Sequence, residues 1–286
     1  MYNFPIGVIL ESFRLPRSEA IKAAAALGAN GIQMYATSGE NSPENLSASA
    51  RRELLDEVKS QGLVFSALCG DLGRGFGNKE LNPELIEKSK RIIDLAKELE
   101  TNIVTTHIGV VPADKNHDRY KIMAEACSEL AEYADGIDAH FAIETGPENA
   151  DTLRGFLDSL GSKGVAVNLD PANLAMVVAE DAVHAVHTLS DYIVHTHAKD
   201  GIQIHKCNPE VVYHVVPMPE ELAADNGRPF KEVPLGTGSV DFPNYLKALD
   251  DIGYKGFLTI EREVGDTPEE DIKTAYGFLK KVMAEN

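Results

Sequence analysis

Four strand-like runs in this chain of 286 residues each close on a side chain able to bind a metal ion or carry a proton. The runs are "HFAIE", ending at Glu144, "VAVNLD" at Asp170, "YIVHTH" at His197 and "GFLTIE" at Glu261. Alternate side chains of a strand point to opposite faces. Phe141 and Ile143 then share a face that Glu144 avoids, and Val167 and Leu169 stand in the same relation to Asp170. Val194 and Thr196 flank His197 in this way, and Leu258 and Ile260 flank Glu261. If the apolar faces meet helices, all four polar groups point inward together. Three carboxylates and an imidazole converging without a counter-charge are costly to bury, because each ion loses its hydration and like charges repel. A divalent cation coordinated by all four removes the conflict. Three oxygens and one nitrogen suit Mn²⁺, Zn²⁺, Mg²⁺ or Co²⁺ and do not choose among them.

The elements that must position these groups alternate along the whole chain. Eight strand candidates stand out: "FPIGVIL", "GIQMYA", "LVFSAL", "NIVTTH", "HFAIET", "VAVNLD", "YIVHTH" and "GFLTIE". Amphipathic stretches such as "SASARRELLDEVKSQG" and "PELIEKSKRIIDLAKELE" lie between them, with start signals at Ser18, Ser47, Pro83 and Thr267 and stops at Gly28, Gly62, Gly161 and Gly253. Strand–helix alternation implies βαβ units and a parallel sheet. Eight units in one chain of this length predict an α/β fold, a single (β/α)8 TIM barrel over residues 1–286. A dinucleotide-binding sheet would carry G-x-G-x-x-G after its first strand, and "GVILESFR" has none. The segment of about 201–238, rich in Pro and Gly, reads as a long irregular loop between the seventh strand and the following helix, of the kind used as a lid or binding loop. In such a barrel chemistry sits where strands end and βα loops meet.

Composition narrows the partners. A net charge of −18 argues against nucleic acid, which needs a basic footprint. No apolar window reaches the roughly 20 residues of a membrane helix. "MYNFPIGVIL" shows no basic leader or cleavage site, so a soluble cytoplasmic protein is expected. The three cysteines, Cys69, Cys127 and Cys207, are far apart and form no metal-binding or disulfide pattern.

With these motifs in view, the chain resembles the sugar phosphate isomerase/epimerase family of xylose isomerase-like TIM barrels, which includes D-tagatose 3-epimerase, inosose-metabolising enzymes and the endonuclease IV branch. The resemblance spans essentially the whole chain and rests on "FAIETGPE", "VNLDPANL", "VHTHAKD", "PLGTGSVDF" and "FLTIERE". It implies that Glu144, Asp170, His197 and Glu261 bind one divalent metal and that Glu144 and Glu261 double as the proton-transfer pair. It also implies a small-molecule sugar substrate and allows a homo-oligomer. The chain departs from ketose 3-epimerases at Asn173 and Gln203, where that group carries a substrate-contacting histidine and arginine. The nuclease branch needs further metal-binding histidines, which "ALCGDLG" and Asn173 do not supply.

Such a site, chelating a sugar's carbonyl and neighbouring hydroxyl, favours loss of the adjacent C–H proton to give an enediolate. Returning the proton to the other face of the same carbon is epimerisation, and returning it to the neighbouring carbon is aldose–ketose isomerisation. Loss of a β-hydroxyl instead is dehydration, the rival lyase outcome on a keto-sugar or keto-inositol. "GTGS" lacks the strand–helix setting of a phosphate cradle, which leaves a phosphate on the substrate open and favours an unphosphorylated or oxidised sugar. Candidate substrate-binding residues are His107, Lys199, Asn173, Glu148 and Arg262. Lys199 holds a substrate oxygen or pairs with Asp200, and His107 contacts substrate or is a satisfied core histidine. Glu148 and Arg262 flank the ligands and would orient them, while His195 lies one layer below His197 in a supporting or packing role. Arg14 contacts a substrate's polar end or is a solvated loop arginine, while His205, His214 and Cys207 read as solvated or lid residues.

Overall fold

The computed structural model describes residues 2–217 and 228–285. Its centre is a closed barrel of eight parallel strands. These are β1 (Ile6–Ile9), β2 (Gly31–Tyr35), β3 (Val64–Cys69), β4 (Ile103–Thr106), β5 (His140–Glu144), β6 (Val165–Leu169), β7 (Ile193–Ala198) and, after the hairpin described below, β10 (Leu258–Ile260). Helices α1 (Arg17–Leu27), α2 (Ala48–Ser60), α3 (Asn82–Glu98), α4 (Asp118–Gly136), α5 (Ala150–Leu160), α6 (Ala182–Thr188), α7 (Phe242–Asp251) and α8 (Pro268–Glu285) surround it. The fold is the expected (β/α)8 TIM barrel.

Local chemistry sets the helix starts. Ser47 Oγ accepts from the Ala50 N–H, Asn149 Oδ1 from Thr152 and Asp181 Oδ1 from Val183, each meeting a donor that has no partner within the first turn. Helix α6 is the shortest of the eight, its seven residues "AVHAVHT" carrying only a short apolar stripe. The outer faces of the strands pack on the helices through Phe141, Phe156, Leu157, Tyr245 and Leu249, all fully buried. Burying each such side chain contributes about 1.5–3 kcal/mol.

Near the start of the strands, the ring of Phe257 packs against Gly31. A Cβ at Gly31 would stand 2.7 Å from Cε1 of Phe257, so the ring occupies the volume the glycine leaves. Above it the register matters. Glu144 lies opposite Asn168, Asn168 opposite His195, and His197 opposite Thr259. A register shift between Val167 and Asn168 aligns Asn168 with His195 rather than Val194. Asp170, His197 and Glu261 then follow two residues beyond Asn168, His195 and Thr259, at the same inward parity.

The loop after β7 is more ordered than its composition suggested. Strands β8 (Asp200–Gln203) and β9 (Phe230–Val233) form an antiparallel hairpin, and Pro209–Val212 is a helical turn capped by the Asn208 side chain. The expectation of an irregular segment over 201–238 is therefore corrected. Backbone pairing across the hairpin outweighs the loop-like composition. Part of the "VPMPEE" run lies outside the described residues. Asp200 anchors the far end. Its carboxylate accepts from the N–H groups of Gly201, Gly236, Gly238 and Val240 at 2.8–3.2 Å. The "GTGS" turn is thus folded around a carboxylate of the chain itself.

Candidate metal centre and pocket

Each of the four strand-end groups reaches one point from its own strand or loop. Glu144 closes β5, Asp170 directly follows β6, His197 lies near the end of β7 and Glu261 directly follows β10. One ligand atom of each lies within 4.8 Å of the others, and all four residues are buried. Nδ1 of His197 stands 3.0 Å from Oε2 of Glu261, 3.4 Å from Oδ2 of Asp170 and 3.7 Å from Oε1 of Glu144. The helical turn after β6 uses the other oxygen of Asp170, whose Oδ1 accepts from the Asn173 N–H at 2.8 Å.

The donor set fits a divalent cation. Nδ1 of His197 and Oδ2 of Asp170 are fully buried polar atoms that make no hydrogen bond. Buried polar atoms are almost always partnered, so two such atoms facing one another call for a ligand. Nε2 of His197 is 3.2 Å from Oε1 of Gln33. The tautomer that donates there leaves the Nδ1 lone pair directed at the carboxylates, as a metal ligand requires.

The charges make the same demand. Burial opposes a charged His197, yet Glu261 and Glu144 pull its pKa well above the ordinary imidazole value. Burial also raises Asp170, helped by the neighbouring glutamates and opposed by His197 and Lys199. Glu144 is desolvated too, but His107 and His197 hold it well below the usual carboxylate range. Glu261 is held at about 2, burial being overcome by Lys199 and His197. A cation held among these carboxylates would add positive charge at the point where they converge.

A layer of amides and one neutral histidine holds the ligands from beneath. His195 donates Nδ1–H to Oδ1 of Asn168 at 2.9 Å and accepts at Nε2 from Thr259 Oγ1 at 3.0 Å. Burial and the neighbouring His197 keep it uncharged, well below its ordinary pKa. Asn168 passes the orientation on through its Nδ2, which donates to Oε2 of Glu144 at 3.1 Å. Neither Asn168 nor Gln33 was singled out from the sequence. The available signal was a lone amide in an apolar strand at the parity of the ligands.

Above the ligands opens a pocket of about 1190 Å³. Among the candidates named from the sequence, His107, Asn173, Lys199, Arg262 and His205 line it. His107 Nε2 is 3.4 Å from Glu144 Oε1, and Asn173 Nδ2 donates to the same oxygen at 2.9 Å. Lys199 does not pair with Asp200. Its Nζ donates to Oε2 of Glu261 at 3.2 Å and Oε2 of Glu263 at 2.5 Å, because Asp200 is already occupied by loop N–H groups. Arg262 is fixed between Glu232 of β9, at 2.6 Å, and Asp271 of α8, at 2.8 Å. Glu148 is not brought to the pocket wall. Its Oε2 accepts from the Val111 N–H at 2.9 Å in the loop after β4. Arg14 is turned away as well, donating to the backbone carbonyls of Gly265 and Glu263. Cys207 Sγ lies 3.5 Å from the Val177 carbonyl, behind the wall. Tyr213 and Glu232, from the segment read as a lid or binding loop, and Glu263, at the end of "FLTIERE", join the lining, though none was named as a candidate.

A closed parallel barrel with a cluster at the mouth able to hold a metal, under a pocket sized for a small molecule, defines the class of (β/α)8 proteins that have enzyme-like sites. Residues 21–282 match the family model described as xylose isomerase-like TIM barrel, and the chain belongs to that family. It is 25% identical over 224 residues to "Uncharacterized protein MJ1311" of Methanocaldococcus jannaschii, covering 74% of this chain and 67% of that one. A solved xylose isomerase domain protein from Planctomyces limnophilus superposes with TM-score 0.78 at 23% identity, over 99% of this chain and 97% of the other. The probable 3-DHS dehydratase AsbF of Bacillus anthracis, involved in petrobactin synthesis, gives 0.73 at 19%, over 97% and 99%. A D-psicose 3-epimerase solved in the presence of D-fructose gives 0.73 at 17%, over 98% and 99%. At these identities the structural likeness speaks for the fold. Among the described residues no helix is long and apolar enough to cross a membrane.

Proposed function

We propose that this protein is a divalent-metal-dependent sugar isomerase or epimerase that works on a ketose or keto-sugar through an enediolate. The observation that carries the reading is that two glutamates, Glu144 and Glu261, come within 3.7 Å and 3.0 Å of His197 Nδ1 and both line the pocket. Glu144, Asp170, His197 and Glu261 would hold the ion. Bound there, it would act as a Lewis acid on the substrate carbonyl and its neighbouring hydroxyl.

The chain's own groups account for the proton movements. One glutamate takes the proton from the carbon beside the carbonyl, and the electron pair moves into the C–C bond as the carbonyl becomes an enediolate. The other glutamate returns a proton, to the opposite face for an epimer or to the adjacent carbon for an isomer. Asn168 and Asn173 hold Glu144 by one oxygen each. Lys199 holds Glu261 ionised and ready to accept. A D-psicose 3-epimerase among the solved structures of the same fold supports this choice of chemistry.

One observation favours a second reading. Lys199 is a buried ammonium beside Glu261 that lines the pocket, placed to protonate a departing β-hydroxyl. Elimination from the same enediolate would make the protein a dehydratase, and the AsbF structure is named a probable dehydratase. Incubation in D₂O with D-fructose, D-psicose, D-tagatose and 3-dehydroshikimate separates the two. Deuterium incorporation that needs Mn²⁺ and keeps all the oxygens fits the isomerase, loss of water fits the dehydratase, and neither result with any of the four would count against both.

A further inference from the structure

The loop after β7 carries an aromatic side chain across the pocket into a seat made for it. Tyr213 follows the turn Pro209–Val212, and its ring centroid lies 5.1 Å from that of His107, the planes inclined at 55°. The turn is bolted down from two sides. Glu210 pairs with Arg119 at the start of α4, and Val212 and Tyr213 pack on the cluster of Ala172, Met176 and Val177 beyond β6.

The hydroxyl ends at Gly146. That residue has φ +132°, a conformation side chains resist, and a Cβ there would stand 2.6 Å from Tyr213 Oη and 2.5 Å from Asn173 Cβ. Glycine two residues after Glu144 is therefore what lets a phenol from a distant loop reach the ligand shell. Among the described residues, Tyr213 Oη has no hydrogen-bond partner. It lines the pocket beside Asn173, whose amide is committed to Glu144. A phenol held by ring packing, with its hydroxyl left unpartnered in a pocket wall, is suited to bind a ligand oxygen.

We propose that Tyr213 is a specificity-determining residue whose hydroxyl hydrogen-bonds a hydroxyl oxygen of a polyhydroxylated substrate, on the side of the pocket bounded by His107 and Gly146. The assignment deepens the sugar reading and rests on it for the choice of substrate class. Xylitol, an open-chain polyol with no carbonyl to react, is the probe that reports binding apart from turnover. Titrate it calorimetrically into the full-length protein supplied with Mn²⁺, native and Tyr213→Phe. The phenylalanine keeps the ring on His107 and removes only the hydroxyl, so the dissociation constant should rise about 3- to 10-fold, as loss of one neutral hydrogen bond predicts. Mn²⁺ affinity and thermal midpoint should stay unchanged. Equal xylitol affinity in the two proteins, or no binding by the native protein at about 100 mM xylitol, well above the millimolar range of weak ligands, overturns the assignment. So does a matching fall in Mn²⁺ affinity, which would place the effect in the fold. If xylitol discriminates and no ketose undergoes exchange, the isomerase reading fails while the role of Tyr213 stands.

Discussion

Lys199 Nζ lies 3.2 Å from Oε2 of Glu261, and that same oxygen lies 3.0 Å from Nδ1 of His197. One carboxylate oxygen thus contacts both a buried ammonium and the histidine nitrogen of the candidate metal cluster. The lysine keeps the glutamate ionised without occupying the ligand cluster.

Replacing Lys199 by Met keeps most of the side-chain volume and removes the charge. Turnover of any ketose that the native protein exchanges should fall on the order of 10²-fold or more, the range of an impaired acid–base group, because Glu261 loses the ammonium that holds it ionised. Metal content should be kept, because Lys199 supplies no ligand atom. Rate constants and metal analysis on one preparation check both halves. A variant within threefold of native would remove Lys199 from the machinery.

Asp170→Asn and His197→Ala each take one group from the cluster of four. Bound Mn²⁺ or Zn²⁺ after dialysis should drop from about one ion per chain to a small fraction. Added metal should raise the native melting temperature and leave both variants nearly unmoved, because a ligand at 100 times its Kd stabilises the folded state by about 2.7 kcal/mol. Elemental analysis and thermal melts with and without chelator give the answer.

Asn168 ties His195 to Glu144. Asn168→Ala leaves a buried imidazole N–H and a carboxylate oxygen without a partner, at a cost of about 1–3 kcal/mol in folding stability. Metal affinity should also fall, by about 10–100-fold, as for other residues that orient ligands. Denaturant titration and chelator competition measure the two effects separately.

Glu148 predicts a pH dependence away from the ligands. Burial pushes its carboxyl up to about 8, with the Val111 N–H opposing. A carboxyl raised in the folded state binds its proton more tightly there than when unfolded. Its contribution is therefore complete below the ordinary carboxylate pKa and is lost as pH rises toward 8, with a limiting slope of about 1.4 kcal/mol per pH unit. Glu148→Gln should flatten that slope between pH 5 and 8 (roughly the window between unfolded and folded values) and be the more stable protein at its upper end. Parallel stability curves for the two proteins would contradict this.

The four ligand candidates were legible because parity within a strand is strict. Once Phe141 and Ile143 face the helices, Glu144 must face the axis, and the same holds on three further strands. The barrel followed from the alternation of elements. What the sequence did not disclose depends on contacts between distant segments. The loop after β7 was read as irregular because its Pro and Gly content masks the pairing of Asp200–Gln203 with Phe230–Val233. The partner of Lys199 was open between substrate and Asp200 because nothing local shows that four backbone N–H groups take up Asp200. Glu148 was expected beside the ligands on chain proximity, but the turn through Gly146 carries it behind the wall toward Val111. Tyr213 reaches its place through packing against His107 from 106 residues away, a separation no local pattern spans.

The central claim is that Glu144 and Glu261 move a proton on a substrate held at a metal. It is tested most directly by following carbon-bound hydrogen in D₂O by NMR, with native protein, Glu261→Gln and Glu144→Gln, each with Mn²⁺ and with chelator, over the ketose panel. The account predicts deuterium incorporation beside the carbonyl of at least one ketose by the native protein with Mn²⁺. It predicts no incorporation with chelator, and a loss of at least about 10²-fold in each glutamine variant. Exchange that survives chelation, or that continues at native rate in Glu261→Gln, would contradict it.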